Sequence, residues 1–350
     1  MSNGWIRQLR TRIARRKLAH VKICAERNVN SRSSAGFEHV RLIHQALPEV
    51  NFDKIDTSCS FLGKRLAAPI IISAMTGGFP AAKKINRTLA AAAERVGVGF
   101  GLGSQRAMLE NKKIAETYAV RDIFSGLLIG NLGLIQFNNN YKMEHLRAAK
   151  NMGCDAIALH MNALQEICQA EGDKNWNGCR KTLCRLTRSK IKIIAKETGA
   201  GISKETAKAL EAAGVAAIDI AGAGGTNFAL VEAFRGNDIG NAFADWGIPT
   251  VCSLLEVRKA VRVPLICSGG VRSGLDIAKA IALGADVCGI ARPLLKPALH
   301  NTTAVEKTLQ RLIAELKIAM LLTGCQNIAK LRKVKVVLTG FVRDWAEQRL

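Results

Sequence analysis

Aromatic residues are scarce, making up 5% of the 350 residues. Single strands of nucleic acid are held by stacking bases on such rings. A nucleic-acid function, the class that a net charge of +23 first suggests, therefore lacks its platforms. The Lys and Arg residues are spread along the chain, and attraction of anionic substrates explains the charge equally. No apolar run approaches the ~18 residues of a membrane span. The longest are strand-sized and end in glycine or charge, which argues against membrane insertion. None of the ten cysteines forms a Cys-x-x-Cys pair, so neither a disulfide framework nor a zinc cluster is expected. Cys267 and Cys288 fall inside apolar runs and read as small hydrophobes, and a reducing, cytoplasmic location fits. Acids are missing from the start: Glu26 is the first, after Arg7, Arg10, Arg12, Arg15, Arg16 and Lys17. Such a start reads either as an organelle transit segment or as a basic arm that reaches an active site. The arm is the favoured reading.

What is present is a rhythm. Eight short apolar runs between Pro69 and Pro293 each end in a polar or glycine-rich tip, and most are followed by a helical stretch. The predicted strands are Pro69–Met75, Val98–Gly103, Leu127–Leu132, Ala156–Met161, Ile191–Lys196, Ala217–Ala221, Leu265–Ser268 and Val287–Ala291. This is the α/β pattern of a (β/α)8 TIM barrel, whose active site lies at the C-terminal strand ends. Residues 1–60 form a basic N-terminal arm and leader, helical at 5–26; 61–325 form the barrel; 326–350 form a C-terminal helical tail packed on it. The segment 227–246 reads as a lid or a plain surface excursion.

The tips carry the chemistry. Ser268-Gly-Gly-Val-Arg-Ser-Gly274 and Gly289-Ile-Ala-Arg-Pro293 close strands seven and eight, where barrels often hold a phosphate. The first tip, Ala74-Met75-Thr76-Gly-Gly78, is small and hydroxylated and suits the edge of a flat ring. Asn131, Lys196 and Thr226 stand at strand ends three, five and six, and a lysine there can stabilise the anionic N1–C2 edge of a reduced flavin. Together these suggest FMN. Alternation on strand four turns His160 and Asn162 to the same side, with Gln165 and Glu166 following. A carboxylate beside a phosphate-receiving cavity is a natural Mg2+ site.

These residues belong to an ordered set of motifs. Arg16-Lys17-x-x-His20, Ser73-Ala-Met-Thr-Gly-Gly78, Gly103-Ser-Gln-Arg-Ala107, His160-Met-Asn-Ala-Leu-Gln-Glu166, Glu171-Gly-Asp173, Lys196-Glu197, Ala221-Gly-Ala-Gly-Gly-Thr226 and Ser268-Gly-Gly-Val-Arg-Ser-Gly274 appear in sequence. Over residues 15–325 the chain resembles the type 2 isopentenyl-diphosphate isomerases, which are FMN-dependent. The resemblance implies that Ala74, Met75, Thr76, Ser104, Asn131, Lys196 and Thr226 contact the flavin. Gly270, Val271, Arg272, Ala291 and Arg292 would hold its phosphate. Arg16, Lys17 and His20, from this or a neighbouring subunit, would reach the substrate diphosphate, with Ser104, Gln105, Arg106, His160 and Asn162 also facing the substrate. Gln165 would be catalytic and Glu166 would bind Mg2+. NADPH as flavin reductant and a homo-tetramer or homo-octamer are implied as well. Ala170 stands where the family usually has proline, Arg292 where it usually has an apolar residue, and about ten residues precede Arg16 beyond the family's usual start. Two other FMN-barrel and nucleotide classes fit poorly. Hydroxy-acid oxidases need a histidine near the seventh strand end, and no histidine occurs between 160 and 300. IMP dehydrogenases need a cysteine after strand six, and 222–251 has none.

Overall fold

A computed structural model describes residues 12–350. The portion of the expected arm helix before Arg12, with Arg7 and Arg10, lies outside the described residues. The remainder is helical from Arg12 to Glu26.

Eight parallel strands close into a barrel. They are β1 (Ile70–Ile72), β2 (Gly99–Gly101), β3 (Leu128–Gly133), β4 (Ala156–Met161), β5 (Lys192–Glu197), β6 (Ala217–Asp219), β7 (Leu265–Ser268) and β8 (Val287–Ile290). β8 pairs with β1, Gly289 opposite Ile71, and completes the ring. Strands buried on both faces favour continuous apolar runs over alternation, which is why β1 is three isoleucines, all buried. Ile71 points into the barrel with Ile129, Ala158, Ile194 and Ile266, while Ile70 and Ile72 pack against the outer helices. A hairpin, Cys59–Phe61 with Lys64–Leu66, plugs the N-terminal end with Phe61 and Leu66. Its two-residue turn has positive φ at both Leu62 and Gly63, the conformation tight hairpins require.

The expected strands match in existence and order, and most boundaries shift by one to three residues. One expectation, the helical tail, needs correction, and 227–246 carries structure of its own. The 326–350 tail is not wholly helical: Val336–Leu338 is a strand paired antiparallel with Val40–Leu42. Its β-branched residues suit a strand, but its partner lies at the other end of the chain, where no local pattern shows it. The following helix, Gly340–Arg349, packs on Thr250–Ala260. The segment 227–246 is built rather than open. Asn227 caps the helix Phe228–Ala233 by accepting from the Ala229 and Leu230 N–H groups and donates to the Phe243 and Ala244 carbonyls. A 3-10 turn at Asp238–Phe243 completes it.

Register puts the chemistry on one level. Gly133 lies opposite His160, His160 opposite Lys196, and Lys196 opposite Asp219. Among the described residues no helix is long and apolar enough to cross a membrane.

Candidate active site

The C-terminal strand ends open into a cleft of about 1450 Å3, solvent at its mouth included. Ala74, Met75 and Thr76 from the β1 tip line it, with Ser104, Asn131, His160, Lys196 and Thr226 from the following strands. Gly270, Val271 and Arg272 after β7, and Ala291 and Arg292 after β8, line its far end. Arg16, Lys17 and His20 enter from the N-terminal helix of the same chain, and Arg106, Asn162, Gln165 and Glu166 complete the wall.

Gln105 is the exception among the expected residues. It is fully buried, and its side chain is used internally: Oε1 accepts from the Asn131 N–H at 3.0 Å and Nε2 donates to the Ala149 carbonyl at 3.2 Å. It fixes the β3 tip and does not face substrate. The arginines at the far end also depart from expectation. Arg272 donates to Asn30 Oδ1 and the Gly224 carbonyl, and Arg292 donates to Asn30 Oδ1 and the Arg27 carbonyl. Their side chains fasten the strap that follows the N-terminal helix, and the Arg272 N–H is itself donated to Asp276.

That end is shaped for a close approach. Gly270 has φ +71, and a Cβ there would lie 2.8 Å from Ala35 Cβ. The helix Gly274–Ala282 begins beside it with a Ser273–Asp276 capping box; its dipole favours a phosphate, while the Arg272 and Ser273 N–H groups are donated to Asp276 and that of Gly274 to Glu315. At the other end of the floor, Thr76 Oγ1 is buried without a partner, as expected of a hydroxyl reserved for a ligand. Behind it Gly77 admits the Tyr118 ring, which a Cβ would meet at 2.0 Å. Small, half-polar strand tips with an anion cradle at one end fit FMN.

The residues that the surrounding helices bring to the cleft are charged. Lys17 Nζ donates to the Ser104 carbonyl at 2.5 Å and to Tyr118 Oη at 2.9 Å. Burial, aided by the nearby Arg16 and Arg106 charges, pushes its pKa down to about 7. Arg16 lies 3.5 Å from Glu171, and Arg235 joins Glu171 to Glu232. Glu232, nearly inaccessible, meets His20 Nε2 at 2.9 Å. Arg106 pairs with Glu110 at 3.1 Å and Asp173 at 3.5 Å. His160 is pushed down to about 3, chiefly by burial and then by the Lys196 charge. It is therefore neutral, and its Nδ1–H donates to Asn131 Oδ1 at 2.7 Å.

Glu166 is almost fully buried; Oε1 accepts from Asn162 Nδ2 at 3.1 Å and Oε2 from the Asp173 N–H at 2.8 Å. Asn162 Nδ2 also reaches Gln165 Oε1 at 3.2 Å, while Asn162 Oδ1 is buried without a partner. Among the described residues no three His, Cys, Asp or Glu side chains gather into a metal cage. The donor set suits Mg2+ only as one carboxylate plus phosphate oxygens, the manner in which Mg2+ is commonly held. Sequence reasoning passed over Gln136, which lines the cleft and donates to Asp173, and over Glu232 and Arg235. Gln136 lies three residues past the β3 tip glycine, a position that marked it; the other two become visible only when the β6 helix folds back onto the arm.

A family model described as FMN-dependent dehydrogenase matches residues 9–175 and 169–337. Proteins named isopentenyl-diphosphate delta-isomerase are similar over nearly the whole length. That of Pyrococcus furiosus is 47% identical, over 97% of this chain and 90% of its own. That of Methanothermobacter thermautotrophicus is 45% identical over 96% and 97%, and that of Methanosarcina mazei 46% over 96% and 95%. Solved structures with the same fold include a mandelate oxidase variant with a monooxide FMN adduct, at 20% identity, TM-score 0.63 and 92% coverage of each chain. Another, with (S)-mandelic acid, has TM-score 0.66 at 20% identity, covering 92% of this chain and 94% of that one.

Proposed function

Because the chain belongs to the FMN-dependent isopentenyl-diphosphate delta-isomerases, it interconverts isopentenyl and dimethylallyl diphosphate with FMN, and we propose that its cleft divides this work between a flavin half and a diphosphate half. The observation that carries the division is the mixed lining of one cleft: strand tips and a glycine cradle from the barrel, and Arg16, Lys17, Arg106 and Glu166 from the helices around it.

The reaction adds a proton at one end of an allylic unit and removes one from the other. Protonating an unactivated alkene creates a tertiary, cation-like centre, which is the barrier to be lowered. Reduced FMN, when bound, would supply an electron-rich ring and a proton-exchanging nitrogen. Ala74, Met75, Thr76, Ser104, Asn131, Lys196 and Thr226 would seat its ring. The backbone of Gly270, Val271, Ala291 and Arg292 would hold its phosphate, with Arg272 bounding the cradle. Arg16, Lys17, His20 and Arg106 would bind the substrate diphosphate, arginine through paired donors. Glu166 would hold Mg2+ once diphosphate oxygens complete the coordination. Anchoring the anion fixes the small hydrocarbon end, converting remote binding into orientation. Gln165, oriented by Asn162, would stand at the reacting carbons, and neutral His160 would hold Asn131 in place. NADPH would serve only as a reductant of the flavin. A homo-tetramer or homo-octamer in the cytoplasm rests on the family resemblance. Oxidation of a 2-hydroxy acid, suggested by the fold alone, lacks its base: the β7 tip reads Ser268-Gly269-Gly270.

The test is an anaerobic assay of the purified protein with isopentenyl diphosphate, FMN and Mg2+. Dimethylallyl diphosphate should form with reduced FMN and not with oxidised FMN. Turnover independent of flavin reduction contradicts the reading.

A further inference from the structure

The helix that carries Arg16, Lys17 and His20 ends with the wrong charge for its own dipole. Its last turn, Ile23-Cys24-Ala25-Glu26, contains no base and closes on an acid. The C-terminal end of a helix carries partial negative charge and leaves carbonyls without partners, so a cation belongs there. Arg27, whose N–H donates to the Ile23 carbonyl at 2.8 Å, lays its own guanidinium over the Phe234 ring at 5.9 Å. A second cation meets the helix end from the β8 tip. Arg292 Nη2 donates to the Arg27 carbonyl at 2.8 Å, and Nη1 donates to Asn30 Oδ1 at 2.5 Å. Arg272 Nη2 reaches the same Asn30 oxygen at 3.2 Å.

The polar anchors earlier in this helix have a second duty. Lys17 is held by Ser104 and Tyr118, Arg16 by Glu171 and His20 by Glu232, and all three side chains are the ones that would turn to diphosphate. Val21 and Ala25 keep their apolar contacts, and the Arg292 clamp is a polar anchor that diphosphate does not claim. The clamp also has leverage. Arg16 lies roughly 15 Å along the axis from Glu26, so a small tilt at the fastened end displaces its guanidinium most.

We infer that Arg292 is a positioning residue for the substrate: its side chain clamps the C-terminal end of the N-terminal helix and so holds Arg16, Lys17 and His20 at the cleft. The inference rests on the proposed binding of diphosphate by those three residues.

Arg292→Met removes both bonds. Inorganic diphosphate binding to the FMN-loaded protein, measured by calorimetry, should weaken by about tenfold, as loss of a charge-assisted hydrogen bond would give. KM for isopentenyl diphosphate should rise by more than kcat falls. Amide hydrogen exchange should quicken over 12–30 and stay unaltered in the barrel strands. Arg292→Lys, which restores the charge and one donor, should recover part of the lost affinity. Diphosphate affinity and exchange equal to those of the unaltered protein in Arg292→Met overturn the inference. So does a loss of FMN affinity larger than the loss of diphosphate affinity, which assigns the side chain to the flavin phosphate instead. Should Arg292→Met quicken exchange throughout the barrel, Asn30→Ala decides, since it takes away the shared acceptor and leaves Arg292 in place. Weakened diphosphate binding with quicker exchange confined to 12–30 supports the clamp, and unaltered binding overturns it. The double variant Arg16→Ala, Lys17→Ala separates the two layers. If it binds diphosphate as the unaltered protein does, the reading of the helix falls and the clamp with it. If it loses diphosphate while Arg292→Met keeps it, the clamp alone falls.

Discussion

The flavin half of the cleft is made of short side chains and backbone: Ala74, Thr76, Gly270 and Ala291 project from strands of a closed barrel. The diphosphate half is made of long charged side chains from helices outside the barrel. Arg16 and Lys17 come from the N-terminal helix, Arg106 from the helix after β2, and Glu166 from the helix after β4. Each side chain of this half is engaged by its own neighbours: Arg16 with Glu171, Arg106 with Glu110 and Asp173, His20 with Glu232, and Lys17 with Ser104 and Tyr118. A closed sheet, hydrogen-bonded all the way round, gives a fixed seat for a planar cofactor. A set of ion pairs between helices gives a charged seat whose parts can exchange partners when a diphosphate enters. On the proposed division, the cofactor would be recognised mainly by shape, with Lys196 as its one charged side chain from the strands, and the substrate mainly by charge.

Substitutions that respect or violate this division should behave differently. The largest effect is expected at the seam: Gln165→Ala should lower turnover by about a hundredfold or more while FMN remains bound, measured by isomerase assay and flavin absorption. Near-normal turnover removes Gln165 from the chemistry. Gly270→Ala should act on the flavin half alone. The added Cβ has no room beside Ala35 and φ is +71, so FMN affinity should fall by about tenfold or more, as read by fluorescence titration, with no change in the Mg2+ requirement. Glu166→Gln should raise the Mg2+ concentration needed for half-maximal rate by roughly tenfold, leaving FMN affinity unaltered.

The smallest effect is a pH dependence confined to the charged half. Lys17 has its pKa pushed down to about 7 by burial and like charges. Above that value the unliganded side chain is neutral, so inorganic diphosphate should bind more weakly as pH rises through about 7. In Lys17→Arg the guanidinium stays charged, and that limb of the calorimetric profile should flatten.

The same division decides what could be read from the sequence. The eight strands and their tips were legible because each is a local pattern: an apolar run, a glycine or hydroxyl, then a helix. Ala74, Thr76, Lys196 and Gly270 follow from position in that rhythm. The substrate wall came mainly from the motif resemblance, since nothing local in Arg16-Lys17 says that it lies opposite Glu166. Gln105 was misplaced because the motif resemblance carries it to the substrate together with its neighbours Ser104 and Arg106. Only the packed barrel reveals that its amide is spent on Asn131 and Ala149. The acceptors of Arg292 were invisible because they lie far away in the chain: Arg27 and Asn30 precede the barrel. The strand Val336–Leu338 was missed because its partner, Val40–Leu42, precedes the barrel.

The separation of the two halves is tested most directly by the double variant Arg16→Ala, Lys17→Ala, with FMN and inorganic diphosphate binding measured on the same protein by calorimetry. The account predicts an FMN dissociation constant equal to that of the unaltered protein and diphosphate binding weakened by at least about a hundredfold. Loss of FMN binding, or diphosphate binding that survives, would contradict it.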